Sequence, residues 1–223
     1  WGPFQCTANI NAGEMKLEGC NLSGFQGALG LSGTTVAFWE AEPHYHVKVD
    51  AKRIDLNGVL ATFSKYGGVI EGVGSLEADL KGQGTSTDDL ARNLTGLVSS
   101  RLDNGRWVAG GFTSAFSSGL KVLESIPGVK VTAFSGVDSW EQLAGSFEVK
   151  DGMFTLKAPL QFKINGSPAA LGGAIGIKGA LGLVGSYDIS PKLVAQATGN
   201  RCQPKAALTV PVAIRGTLLK PEV

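Results

Sequence analysis

Alternation of apolar and polar residues, repeated along nearly the whole chain, is the feature that most limits how it can fold. Val47, Val49 and Ala51 alternate with Lys48, Asp50 and Lys52, and Leu76, Ala78 and Leu80 with Glu77, Asp79 and Lys81. Phe147 and Val149 alternate with Glu148 and Lys150; Phe154, Leu156 and Ala158 follow, then Leu160, Phe162 and Ile164 against Gln161 and Lys163. Near the end Leu208, Val210, Val212 and Ile214 share one parity. A period of two is that of half-buried antiparallel strands with one apolar and one wet face. Asp103-Asn104-Gly105, Lys150-Asp151-Gly152 and Ile164-Asn165-Gly166 supply residues that tolerate left-handed turns between such strands. The Gly/Ala-rich stretch 169–184 keeps the alternation through Ile175, Ile177, Leu181 and Leu183, which predicts closely approaching strands rather than a linker.

Three stretches break the pattern. Asp55 to Phe63 reads as a helix of two turns. Thr85 to Leu94 offers hydroxyl caps and the early acids Asp88 and Asp89, with Leu90 and Leu94 four apart. From 112 to 126, Phe112, Phe116, Leu120 and Leu123 fall at helical spacing before Pro127-Gly128, predicting a helical cap on the sheet. The fold class expected is therefore mostly β: a curved antiparallel sheet, forming a β-groove or an open barrel or sandwich-like taco, with a few short helices capping it. The alternation alone fits a sandwich core facing a second sheet and also an open sheet whose concave face receives acyl chains.

No domain boundary or fixed repeat period is visible, so residues 1–223 read as a single domain. The chain begins at Trp1 with no initiator Met, no basic-apolar leader and no apolar run near 18 residues. It is expected to be a fragment or a processed product, with any membrane anchor outside it.

Composition narrows the functional classes. Charged residues make up 17% of the chain and apolar ones 43%, against roughly 25% charged in soluble domains. Apolar side chains exceed what a compact core of this size takes up, which points to a hydrophobic partner or ligand. Twenty basic and nineteen acidic residues give a net charge of +1, and no basic stripe carries interleaved aromatics, so nucleic acid is not an expected partner. Cys6, Cys20 and Cys202 contain no CxxC pair. Cys6 and Cys20 could pair across neighbouring strands in an oxidising compartment, or all three could be buried thiols.

Residues for chemistry are sparse. His44 and His46 lie on one face of a strand with no further ligand marked nearby, so a surface pair is the reading and no metal is expected. Gly72-Val73-Gly74-Ser75 lacks the third glycine of a dinucleotide fingerprint, and Gly110-Gly111-Phe112-Thr113-Ser114 lacks the Lys of a phosphate loop. Asp88-Asp89 at a helix start complements the helix dipole. The sequons Asn21-Leu22-Ser23 and Asn93-Leu94-Thr95 read as chance. No enzyme, catalytic residue or cofactor is expected.

Three motifs carry a family resemblance. The run Gly72 to Gly96 holds a strand, the turn Gly82-Gln83-Gly84-Thr85, a short helix with Asn93-Leu94, and a closing Gly. The next strand, Leu97 to Gly105, ends in an Asp-x-Gly turn, and Gly145 to Phe154 repeats a strand, Asp-Gly, strand step. Val210-Pro-Val-Ala-Ile-Arg-Gly-Thr-Leu-Leu-Lys-Pro-Glu-Val223 closes the chain with a Pro-Val-x-Ile-x-Gly-Thr-x-x-x-Pro signature. Their order across residues 70–223 resembles the C-terminal domain of the AsmA family of the Gram-negative envelope. Residues before 65 match only in style, through Gly27 to Gly33. Cys202 and the stretch 169–184 depart from the family pattern.

The resemblance implies a periplasmic domain tethered to the inner membrane by an N-terminal segment, with a hydrophobic β-groove for phospholipid transport between inner and outer membranes and a part in outer-membrane homeostasis. The expected partners are phospholipid or another acyl-chain ligand and inner- or outer-membrane or envelope proteins. Groove candidates are Leu76, Leu80, Phe147, Val149, Leu156, Leu160, Phe162, Ile164, Val210, Val212 and Ile214. Burying each CH₂ is worth about 0.8 kcal/mol, so a palmitoyl-sized chain gains on the order of 10 kcal/mol in an apolar trough. Two alternatives are a structural factor in outer-membrane assembly and a secreted β-sandwich interaction module.

Overall fold

A computed structural model describes residues 2, 4–65, 67–108, 124–125, 130, 138–218 and 220–222. The fold is mostly β. All the described strands belong to one large sheet in which every neighbouring pair is antiparallel. In chain order the strands are β1 (Phe4–Asn11), β2 (Glu14–Gly24), β3 (Gly27–Gly30), β4 (Thr35–Ala37), β5 (His44–Asp55), β6 (Ile70–Gln83) and β7 (Thr95–Trp107). They continue as β8 (Asp138–Lys150), β9 (Met153–Leu156), β10 (Leu160–Ile164), β11 (Ser167–Gly176), β12 (Leu181–Ile189), β13 (Leu208–Thr217) and β14 (Lys220–Glu222). Spatial order follows chain order almost throughout. β9 and β10 both pair with β11, at successive stretches of it; between them lies Lys157-Ala158-Pro159, where Pro159 has no N–H for a ladder.

The alternation is realised as a two-faced sheet. One row across the strands is Val49, Ala78, Val98, Phe147 and Leu156; the next is Val47, Leu80, Gly96, Val149 and Phe154. Farther along, Phe162, Ala169, Tyr187 and Val210 form a row, as do Leu160, Leu171, Gly185 and Val212. The opposite face carries rows such as Lys48, Asp79, Leu97 and Glu148. The ion pairs there, Lys48–Asp79 at 3.8 Å and Lys52–Asp50 at 2.7 Å, are exposed and contribute at most about 1 kcal/mol each. What holds the sheet is burial on the apolar side, in two clusters that share Phe147. One centres on Ala78, Val98 and Val149; the other runs from Leu156 and Ile164 to Tyr187, Ile189, Val194, Val212 and Ile214.

Two-residue turns build the hairpins. Asp151-Gly152 (φ 51° and 71°) joins β8 to β9, and Asn165-Gly166 (φ 49° and 82°) joins β10 to β11, the left-handed pair that matches strand twist. Asp103-Asn104-Gly105 is different. A turn is expected there, but β7 continues through it and the ladder with β6 shifts register, so Asn104 (φ 49°) forms a β-bulge. The reason is tertiary: the strand stays paired to β8 beyond the bulge, and the Trp140 indole lies over Gly105, where a Cβ would come within van der Waals exclusion.

Two of the three expected helices are present among the described residues. α1 is Leu56–Phe63 and α2 is Thr87–Asn93. Ser86 caps α2: its Oγ accepts the Asp89 N–H at 3.1 Å, while Asp89 Oδ2 accepts from Ser86 N–H and Oγ–H at 3.1 and 2.6 Å. Those bonds hold the Asp89 carboxyl below its ordinary range. The cap expected at 112–126, with Phe112, Phe116, Leu120 and Leu123, lies outside the described residues except for Glu124 and Ser125. α3 (Pro191–Ala197) is not anticipated by the sequence reading, although Ser190-Pro191 is its signal: Ser190 Oγ accepts the Leu193 N–H at 3.2 Å and proline takes the first helical position. Its Val194 is fully buried in the second cluster.

Candidate functional site

The β5 bulge and α1 together build an apolar cavity. β5 carries an extra residue at Lys52–Arg53, with Arg53 at φ 54°, and so turns the chain into α1 immediately above the sheet. The Asp55 N–H donates to the Phe25 carbonyl at 2.7 Å, tying the start of α1 to the β2–β3 turn. Beyond the helix, Gly68 N–H donates to Asn57 Oδ1 at 2.7 Å. Leu56, Val59 and Phe63, at helical spacing, face the strands beneath.

The space between is about 420 Å³, lined from the sheet by Leu22, Leu29, Val49, Ala51, Ile54, Leu76 and Leu102 and from above by Phe25, Leu56, Val59 and Phe63. Ser75, Ser100 and Arg101 are the polar members of the lining, and almost no polar surface faces the space. No residue of α1 is fully buried, and Phe63 is 67% exposed. Its ring meets Phe25 edge-to-face at 5.9 Å. The helix therefore rides over the cavity instead of filling it, with Phe63 at its rim.

Of the expected groove residues only Leu76 borders this cavity. The other ten lie on the same apolar side but elsewhere. Leu80, Phe147 and Val149 belong to the central cluster, and Leu156, Leu160, Phe162, Ile164, Val210, Val212 and Ile214 to the C-terminal one. Ile164 and Ile214 are 3% and 1% exposed, while Leu160, Phe162 and Val210 are partly buried against the same cluster. Leu22, Phe25, Leu29, Val59 and Phe63 escaped the sequence reading. They fall before residue 65, where no motif marked the chain, although apolar positions 56, 59 and 63 within the expected helix were a usable signal.

His44 and His46 do not converge on one centre. His44 Nδ1 meets Glu40 at 2.7 Å, and His46 Nε2 meets Asp79 at 2.6 Å across to β6. The hydrogen bond from His46 holds the Asp79 carboxyl below its ordinary range. Among the described residues no three His, Cys, Asp or Glu side chains gather as a metal site would need. Asp88 accepts from Lys178 at 2.6 Å, and that contact holds its carboxyl below the ordinary range. Cys6 and Cys20 are joined as a disulfide between β1 and β2, and Cys202 is a free thiol.

Compared with known proteins, the chain matches no family model, no curated protein and no solved structure.

Proposed function

We propose that this chain is a non-enzymatic domain of AsmA-like type, working in the periplasm, whose apolar sheet face and the cavity under α1 take up acyl chains of phospholipid moving between inner and outer membranes. The observation that carries the reading is the cavity itself: about 420 Å³ with an apolar lining, within the range of small-molecule sites. Acyl chains need apolar surface and no directed hydrogen bonds, and each CH₂ transferred is worth about 0.8 kcal/mol. The Cys6–Cys20 disulfide supports an oxidising compartment such as the periplasm. The order of the glycine-turn motifs supports the family reading, and on it a tether to the inner membrane and contact with envelope proteins are proposed too. In this reading the sheet curves into a groove.

Native mass spectrometry of protein extracted from membranes tests it. Phospholipid or fatty acid should co-purify, and Val59→Trp, which fills the cavity, should remove it while the fold persists. Lipid-free protein, or lipid retained in full by Val59→Trp, sinks the cavity as the site.

The buried C-terminal cluster around Ile164, Val212 and Ile214 favours a second reading, a structural or assembly role for that half. Phe162 packs against the cluster. There Phe162→Asp would set an unpaired charge against the partly buried edge of that cluster and destabilise the fold. A conduit wall would keep its fold and lose lipid.

A further inference from the structure

Among the described residues, the two end strands of the sheet are built differently. Among those same residues, β14 (Lys220-Pro221-Glu222) covers only Arg215–Thr217 of β13, and the uncovered stretch Leu208–Ile214 carries Pro211; shortness, charge and proline are the usual protections against further pairing. β1 has none of them. It is eight residues long, Phe4-Gln-Cys-Thr-Ala-Asn-Ile-Asn11, uncharged, without proline, and exposed along its whole length. Phe4 and Ile10 are 63% and 61% exposed, on the side of the strand that continues the apolar face through Leu22 and Met15.

The backbone fixes which groups are free. The Ala12-Gly13 turn makes Asn11 and Glu14 the bonded pair that closes the hairpin, so Asn9 and Thr7 also bond inward. The register shift near Cys6 inserts its extra residue on β2, at Gly19-Cys20, and leaves the alternation of β1 intact. Phe4, Cys6, Ala8 and Ile10 therefore turn their N–H and C=O groups outward.

The strand is also a palindrome of side-chain character about Thr7. An antiparallel copy of itself sets Phe4 opposite Ile10 of the other copy, Gln5 opposite Asn9 and Cys6 opposite Ala8. Apolar meets apolar, polar meets polar, and the outward-bonding residues fall opposite one another, as a narrow antiparallel pair requires. We infer that β1 is a homodimer edge, pairing antiparallel with β1 of a second copy about a two-fold axis through Thr7, so that two sheets continue as one. Such an axis stands perpendicular to the sheet and keeps both apolar faces on one side.

Sedimentation velocity over a concentration series from micromolar upward tests this on residues 1–223. The unmodified protein should show a monomer–dimer equilibrium. Ile10→Lys or Phe4→Glu alone should weaken the dimer by about tenfold, because each loses two cross-strand pairs per dimer. The double variant Phe4→Glu/Ile10→Lys should restore it, since the register sets each new acid opposite a new base. Both sites are exposed, so circular dichroism should show unchanged monomers. A protein that stays monomeric, a dimer indifferent to the single changes, or a double variant no tighter than either single overturns the inference.

Discussion

Adding one methyl group at Gly185 should separate β11 from β12. A Cβ there would stand 1.8 Å from the Ala170 carbonyl oxygen, 2.8 Å from its carbon and 2.9 Å from Leu171 Cα. Ordinary carbon–oxygen contact begins near about 3.3 Å, so the strands must part by about 1.5 Å, more than a backbone hydrogen bond survives. The pairs Ala170–Ser186 and Leu171–Gly185 would open. Two lost bonds cost about 1 kcal/mol each and overpacking about 1–3 kcal/mol more, for a total of about 3–5 kcal/mol. Gly182 is the internal control: same strand, nearest atom the Ala174 oxygen at an ordinary 3.7 Å, and no left-handed φ. Gly182→Ala should be neutral or stabilise by about 0.4–1 kcal/mol through the unfolded chain. Thermal and urea unfolding read both. Gly185→Ala should lower Tm by about 6–20 °C or prevent folding, and Gly182→Ala should not. Equal midpoints for the two variants would refute the close approach.

Ile214, 1% exposed in the C-terminal cluster, should lose about 2–5 kcal/mol as Ile214→Ala in urea unfolding; a change below 1 kcal/mol would mean that cluster is loose. Reducing the Cys6–Cys20 disulfide, whose cysteines are 14 apart in sequence, should destabilise the β1–β2 hairpin by up to about 3 kcal/mol, visible as faster amide exchange in β1 and β2 and not in β12. The Tyr187 hydroxyl is pushed up from its ordinary value by burial, partly offset by a hydrogen bond with Ser167. A raised folded value means stability that is complete below the unfolded tyrosine value near 10 and is lost as pH climbs through the folded one. Alkaline unfolding should therefore be less steep in Tyr187→Phe. Asp79 has the opposite sign: its lowered carboxyl contributes stability above the ordinary aspartate range that disappears as pH falls through the folded value. NMR titration of His46→Ala should show that carboxyl returning towards its ordinary value.

The sequence by itself determined the strands and which side of each is apolar. Val49, Ala78, Val98, Phe147 and Leu156 take their parity from the chain, and a one-residue slip would expose every one of them. It also determined the hairpins at Asp151-Gly152 and Asn165-Gly166, where left-handed turn residues sit between alternating strands, and the helices, α1 through its apolar spacing and α2 through its Ser86 cap. Each of these depends on interactions within a few residues. What only the tertiary structure decided lies at longer range. Asn104 has the same left-handed φ as Asn165, yet one is a bulge and the other a turn, because pairing with β8 and the Trp140 ring carry β7 onward. Leu76 borders a cavity while Ile214, of the same alternating kind, is sealed; the difference is what lies over each. Above Leu76 passes α1, led there by a bulge at Arg53 and tied down by Phe25 and Asn57, whereas Ile214 packs into the cluster that α3 closes with Val194. Alternation states that a side chain faces inward. Whether it meets another side chain or open space depends on the strand or helix that passes over it, which is set by residues distant in sequence.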